Sequence, residues 1–160
     1  MPLVESFSGI RGIYDDGLNE EIAVRYAYSY LCFLRKKYGN KIKIAVGMDT
    51  RPSGRIIKNA ILEVLDCDIV DIGIASTPMT EFAVRRCKAD GGIIVTASHN
   101  EPYWNGFKFL DKNGAVLSQN DVESIINFYS KIKNIKNSDF SNKYLNNKNF
   151  KKIKERKIEQ

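Results

Sequence analysis

Three short β-branched runs, KIKIAVGM at 41–48, CDIVDIGI at 67–74 and GIIVTAS at 92–98, alternate with segments of helical periodicity. No other feature of the chain constrains its fold as much. Asn19, with Glu20 and Glu21 behind it, reads as a helix N-cap. The stretch that follows places Ala23, Ala27, Tyr30, Leu31 and Leu34 on one face and stops at Gly39. A second helix is expected from Ser53 or Gly54 to Leu65, with Ile57, Ile61 and Leu65 four residues apart. A third opens at Thr77-Pro78, carries Phe82, Ala83 and Cys87, and ends at Asp90-Gly91-Gly92. A last helix runs from Gln119 to about Ile135, with Val122, Ile125, Ile126 and Tyr129 on one face. Strands alternating with helices predict βαβ units, hence a three-layer α/β/α fold with a mixed, mainly parallel sheet. Asn113-Gly114, between GFKFL and AVL, adds an expected C-terminal β-hairpin.

Composition narrows the function classes once the charge is located. The net charge is +6, yet residues 1–130 carry 15 Lys and Arg against 16 Asp and Glu, whereas residues 131–160 carry 10 against 3. The basic character belongs to the tail, which reads as a helix end and linker (131–160) leaving a compact domain (1–130). Apart from Phe140, Tyr144 and Phe150 the tail has no aromatic residue to stack on bases, so nucleic acid is not expected as a partner. No apolar run approaches the ~20 residues of a membrane span, and MPLVESFSG has neither a basic nor an apolar leader region. A cytoplasmic location without membrane contact is expected. Cys32, Cys67 and Cys87 are widely spaced and sit beside a single histidine, which argues against both a disulfide framework and a zinc site.

In an open α/β sheet, ligands bind beyond the carboxyl ends of the strands. Here those ends carry Asp49-Thr50-Arg51, Ser76-Thr77 and Ser98-His99-Asn100. Hydroxyls combined with a guanidinium or a helix start suit a phosphate, so an anionic ligand is the expectation. Ser98, closing an apolar strand, is the nucleophile candidate. A Ser-His hydrolase is disfavoured: neighbours in an extended chain point apart, and there is neither GxSxG nor a second histidine. Asp66, Asp68 and Asp71 lie in an expected strand and read as strand-edge carboxylates.

Three motifs carry a resemblance. TASHNEPYWNGFKFL resembles the TASHNP…NGxK signature of the α-D-phosphohexomutases, the phosphoglucomutase/phosphomannomutase family. SGIRG at 8–12 is similar to its GIRG motif, and GMDTRPSG at 47–54 to its GxDTRxSG loop. Together they cover roughly residues 3–130, the span of that family's N-terminal phosphoserine domain. The resemblance implies that Ser98 carries a phosphoryl group exchanged with a hexose 1- or 6-phosphate by way of a hexose 1,6-bisphosphate. It also implies that the phosphate on Ser98 is a ligand of the family's Mg2+. His99 is implied beside the reacting groups, Lys108 as general acid/base, and Arg11 as an active-site cation. Asn100 and Arg51 are implied as phosphate-binding, and the third motif, with Arg51 and Ser53 in it, is taken as supporting structure. Two departures stand out: Glu101 lies between Asn100 and Pro102, and ESFSGIRG lacks the family's Gly-Thr pair.

The family's metal loop of DGDxDR type, its sugar-reading loop and its terminal phosphate-clamping loop have no counterpart in the chain. The remaining mutase domains are therefore expected in cis or on a partner chain, and the isolated chain is expected to be inactive. The alternative is a stand-alone module that binds phosphorylated hexose, or docks onto a partner, without turnover.

Overall fold

The computed structural model describes residues 2–145. In chain order the elements are β1 (Val4–Ser6), β2 (Gly9–Ile13), α1 (Glu20–Tyr38), β3 (Lys43–Met48), α2 (Gly54–Val64), β4 (Asp68–Ile74), α3 (Thr77–Arg86), β5 (Gly91–Val95), β6 (Trp104–Leu110), α4 (Gln119–Ile132) and a short α5 (Asn137–Phe140). Local chemistry explains the ends. The Asn19 carboxamide accepts from the Ile22 N–H, Ser76 caps α3 through the Met79 N–H, and Ser118 caps α4 through the Asp121 N–H. Gly39, with φ of 91°, ends α1 while its N–H closes on the Arg35 carbonyl.

The six strands form one sheet in the order β1-β2-β6-β5-β3-β4. Only β3–β4 and β3–β5 are parallel; β1–β2, β2–β6 and β5–β6 are antiparallel. The sheet is mixed as expected, but it is not mainly parallel. The difference comes from β1 and β2, which precede the first helix and add antiparallel pairings on the far side of β6. The expected C-terminal hairpin is a second correction. GFKFL belongs to β6, which pairs with β2 and β5, and AVL contributes a single bridge, Leu110 to Val116. Beside β2, which pairs only with residues 104–107 of β6, the returning segment is held by the Leu117 N–H on the Phe109 carbonyl (3.1 Å) and the Asp111 N–H on the Ala115 carbonyl (2.8 Å), too few pairings to make a strand.

One sheet face is covered by α1 packed between α2 and α4. It holds the main core, in which Tyr26, Tyr30, Ile44, Ile57, Ile93, Phe107 and Phe109 are all buried. The opposite face is covered by α3, which rests on β3 and β5. Phe82 of α3 is 59% exposed, and Thr80 and Val84 face the sheet. The reason is how close the helix sits: a Cβ on Gly92 would lie 2.7 Å from Cγ2 of Val84, so only small residues fit beneath the helix. Residues 137–145 continue into the body. Phe140 and Leu145 pack with Val24, Ala60 and Val64, and the buried Arg25 guanidinium lies 4.5 Å from the Phe140 ring centroid. Burial holds Arg25 below the ordinary arginine range, against an opposing attraction from Glu21. Phe140 and Tyr144 thus serve packing; Phe150 and the rest of the basic tail, residues 146–160, lie outside the described residues. Among the described residues no helix is long and apolar enough to cross a membrane, and the three cysteines are free thiols.

Two features give stability predictions. The Tyr30 hydroxyl, at the centre of the main core, donates to the Leu110 carbonyl (2.6 Å) and accepts from the Gly92 N–H (2.9 Å). Tyr30→Phe strands that N–H in a dry interior and should cost about 1–3 kcal/mol, read as a lower urea midpoint. The second feature is Asp71. It is a partner of the buried Lys58 at 2.7 Å, which bears out its reading as a structural carboxylate. Burial pushes its carboxyl up, but the Lys58 ammonium and the Gly73 N–H outweigh that and hold it below the usual 3.8. With the folded value below the unfolded one, the pair's contribution is complete above the ordinary aspartate range. It fades as pH falls through the lowered value. Thermal midpoints of wild type and Lys58→Met should therefore be separated by a constant gap near neutrality that narrows below about pH 4.

Candidate active site at the β3 and β5 strand ends

Chain direction brings the candidates together. From β3 the chain leaves through residues 49–53 toward α2 and β4, while β5, on the other side of β3, leaves through residues 96–103 toward β6. The two exit loops diverge at the point where the strand order reverses, and this opens a crevice there. A groove of ≈ 440 Å³ lies there, lined by Asp49, Arg51, Pro52, Ser98, Asn100 and Pro102. The third expected loop serves otherwise, since the Ser76 hydroxyl is spent on capping α3.

Ser98 is half-buried and has φ of 57°, a left-handed conformation uncommon for a residue with a side chain. Both of its backbone groups are held. Its N–H donates to Oγ1 of Thr96 (3.0 Å), and its carbonyl accepts from Nη2 of Arg51 (2.9 Å). Thr96 Oγ1 in turn donates to Oδ2 of Asp49 (2.6 Å), which also accepts from Nε of Arg51 (3.0 Å). The loop closes into a ring from Ser98 through Thr96, Asp49 and Arg51 back to Ser98. The Ser98 hydroxyl makes no hydrogen bond among the described residues, so the backbone is fixed while the oxygen stays available.

Arg51 is placed at the site with its donors turned onto the loop. Besides Asp49 and Ser98 it donates from Nη2 to the Asn100 carbonyl (2.8 Å) and from Nη1 to the carbonyls of Glu101 (2.5 Å) and Trp104 (3.1 Å). A guanidinium has five N–H donors, and all are engaged. Ser53 is buried and accepts from the Asn105 carboxamide (2.9 Å), as expected of a supporting residue.

Arg11 enters from β2. Its Nη1 donates to Oδ1 of Asn100 (3.2 Å) and its Nη2 to Oγ of Ser8 (3.0 Å), which leaves donors free to meet an anion. It pairs across the sheet with Gly106, and Lys108, two residues on, shares that face; Ile10, Phe107 and Phe109 point the other way into the core. Lys108 is half-buried opposite Ile94, four residues before Ser98 on the adjoining strand. His99 is exposed at the tip of the loop. Asp49 and Thr96 carry the ring yet were not expected as site residues. Their signal was available, because a threonine two residues before a serine can accept that serine's N–H.

A phosphoryl group calls for a fixed oxygen with a cation at hand; here the Ser98 backbone is fixed, its hydroxyl is unengaged, and Arg11 reaches Asn100 of the same loop. The family model described as phosphoglucomutase/phosphomannomutase, alpha/beta/alpha domain I, matches residues 5–136. The chain belongs to the phosphoglucomutase/phosphomannomutase family. Within it, a phosphoglucomutase/phosphomannomutase of Thermococcus kodakarensis is 37% identical over 121 residues, spanning 74% of this chain and 26% of the relative. A phosphoglucosamine mutase of Nautilia profundicola is 42% identical over 120 residues, spanning 73% of this chain and 27% of the relative. The crystal structure of a phosphoglucomutase/phosphomannomutase family protein from Burkholderia thailandensis superposes with a TM-score of 0.67 at 26% identity, covering 81% of this chain and 31% of that one. This phosphoglucomutase/phosphomannomutase family chain therefore spans about a quarter of the length of the curated relatives it matches.

Proposed function

We propose that this domain carries the phosphoryl group of a phosphohexomutase on Ser98, interconverting hexose 1-phosphate and hexose 6-phosphate, with the remaining mutase domains supplied in cis or by a partner chain. The observation that carries the reading is the clamped, left-handed Ser98 with its hydroxyl unengaged and Arg11 alongside through Asn100. In the forward half-reaction a sugar hydroxyl attacks the phosphorus of phosphorylated Ser98. The new P–O bond forms to the sugar as the bond to Ser98 Oγ breaks, and the sugar proton passes to a base, for which Lys108 is proposed. A proton then returns to Ser98 Oγ. The hexose 1,6-bisphosphate turns over in place and gives its other phosphoryl group back to Ser98 Oγ, which loses its proton in the same way. Arg11 steadies the charge spread over the three equatorial oxygens, and His99 positions or protonates a substrate oxygen.

The residues present do not make a magnesium site by themselves. Among the described residues there is no group of three or more His, Cys, Asp or Glu placed to hold a metal, and Asp49 is occupied by Arg51 and Thr96. The metal's protein ligands, like those of the sugar and its second phosphate, are proposed to lie outside this domain.

A coupled assay tests the reading. A full-length protein containing this domain should convert hexose 1-phosphate to hexose 6-phosphate with magnesium, and the 160-residue chain alone should stay at background. Turnover by the isolated chain at an enzyme's rate would contradict its incompleteness. Absence of turnover by the full-length protein, with phosphohexose bound, would favour a binding module instead.

A further inference from the structure

We propose that Arg51 is a positioning residue that sets the attack geometry of Ser98 without touching the phosphoryl group. The inference rests on the phosphoryl-carrier reading of Ser98. Four of the five Arg51 donors end on backbone carbonyls of the loop, those of Ser98, Asn100, Glu101 and Trp104, and the fifth holds Asp49. The Asp49 carboxylate also accepts the Arg51 backbone N–H at 3.0 Å, so the arginine is oriented from both ends. One planar fork thus bridges β3 to four carbonyls within seven residues of the β5 exit loop, a task that a lysine's single ammonium cannot reproduce. The need for such a strap is visible in the loop. Ser98 sits in a sparsely populated left-handed conformation, which persists only where the surroundings over-determine it. The residue after Asn100 is Glu101, which does not fix its own φ as a proline would.

Removing the strap should let Ser98 drift from the line of attack while Arg11, held on β2, and any substrate-binding groups elsewhere remain. A misplacement on the order of 1 Å costs about 100-fold in rate. In the full-length mutase, Arg51→Lys should therefore lower kcat about 100-fold with KM for the hexose phosphate within about twofold of wild type. Added guanidinium should partly restore Arg51→Ala. Thr96→Val cuts the other backbone tie of Ser98 and one of the three hydrogen bonds on the Asp49 carboxylate while leaving all five Arg51 donors paired, and it should lower kcat with unchanged KM as well, so the test survives if both arginine variants fail to fold. A rise in KM at unchanged kcat in Arg51→Lys would mean that Arg51 binds substrate and would overturn the proposal, as would wild-type kcat in a folded Arg51→Lys or Thr96→Val. Ser98→Ala is the control for the underlying reading. If it is inactive while the Arg51 and Thr96 variants are not, only the positioning role fails; if it stays active, the carrier role itself fails.

Discussion

Ser98→Ala is expected to abolish phosphoryl transfer by the full-length protein while leaving this domain folded. Every tie on that residue runs through its backbone, the N–H to Thr96 and the carbonyl to Arg51, and alanine retains both. The left-handed φ of 57° costs alanine and serine alike, since each carries a Cβ. What disappears is the oxygen proposed to accept and donate the phosphoryl group. Loss of a covalent carrier is worth on the order of 10⁴-fold or more in kcat, because the remaining groups have nothing to act on. The coupled assay reads the loss, and the thermal midpoint of the variant should match wild type. A dead variant with a collapsed midpoint would not count as support.

The second large effect is expected at a residue that does no chemistry. Gly106 lies in β6 directly opposite Arg11, and a Cβ there would run into the Ile10 carbonyl oxygen and stand 3.0 Å from the Arg11 Cα. Both obstacles are backbone, so Gly106→Ala must push β2 away from β6. That separation opens the Ile10–Phe107 pairing in the main core and moves Arg11 off Asn100. Overpacking of this kind costs about 3 kcal/mol or more, and urea unfolding of the chain should show it as a lower midpoint. Gly54→Ala is the control. The nearest atom to its Cβ would be the Asp49 carbonyl oxygen at an ordinary 3.5 Å, and its stability should stay within about 0.5 kcal/mol of wild type. A Gly106→Ala protein as stable as that control would mean that the two strands can part without loss, and the account of how Arg11 is held would fail.

The alternation of strand and helix was legible because each element between Glu20 and Val95 carries its own signal. Asn19 and Gly39 bracket α1, Ile57 and Ile61 mark the buried side of α2, the runs of β3 and β5 are buried or half-buried throughout, and edge strand β4 is half-buried at Ile69, Val70 and Ile72. What escaped was set by tertiary partners. Strands β1 and β2 are short, and β2 is broken by Gly9 and Gly12, so neither shows the apolar run of a strand; they form by pairing with each other and with β6. The buried side of α3 was not legible because Phe82 outweighs Thr80 and Val84 in any hydrophobic pattern. The helix lies so close to Gly92 that size, not hydrophobicity, decides which residues face the sheet. At the site, Ser98 was recognisable from its place at a strand end, whereas Arg51 was readable both as a phosphate ligand and as supporting structure. Its residue type suits a phosphate as well as a loop, and only the count of its satisfied donors separates the two.

Peptide mapping by mass on protein isolated from its own source reads out directly whether Ser98 carries phosphate. Cleavage after Lys88 and Lys108 yields the peptide Ala89–Lys108, in which Ser98 is the only serine. The account predicts that this peptide carries the added mass of one phosphate, that fragmentation places it on Ser98, and that dephosphorylated protein regains both phosphate and activity on incubation with a hexose 1,6-bisphosphate. A protein that turns over hexose phosphates while this peptide stays unmodified before and after that incubation would contradict it.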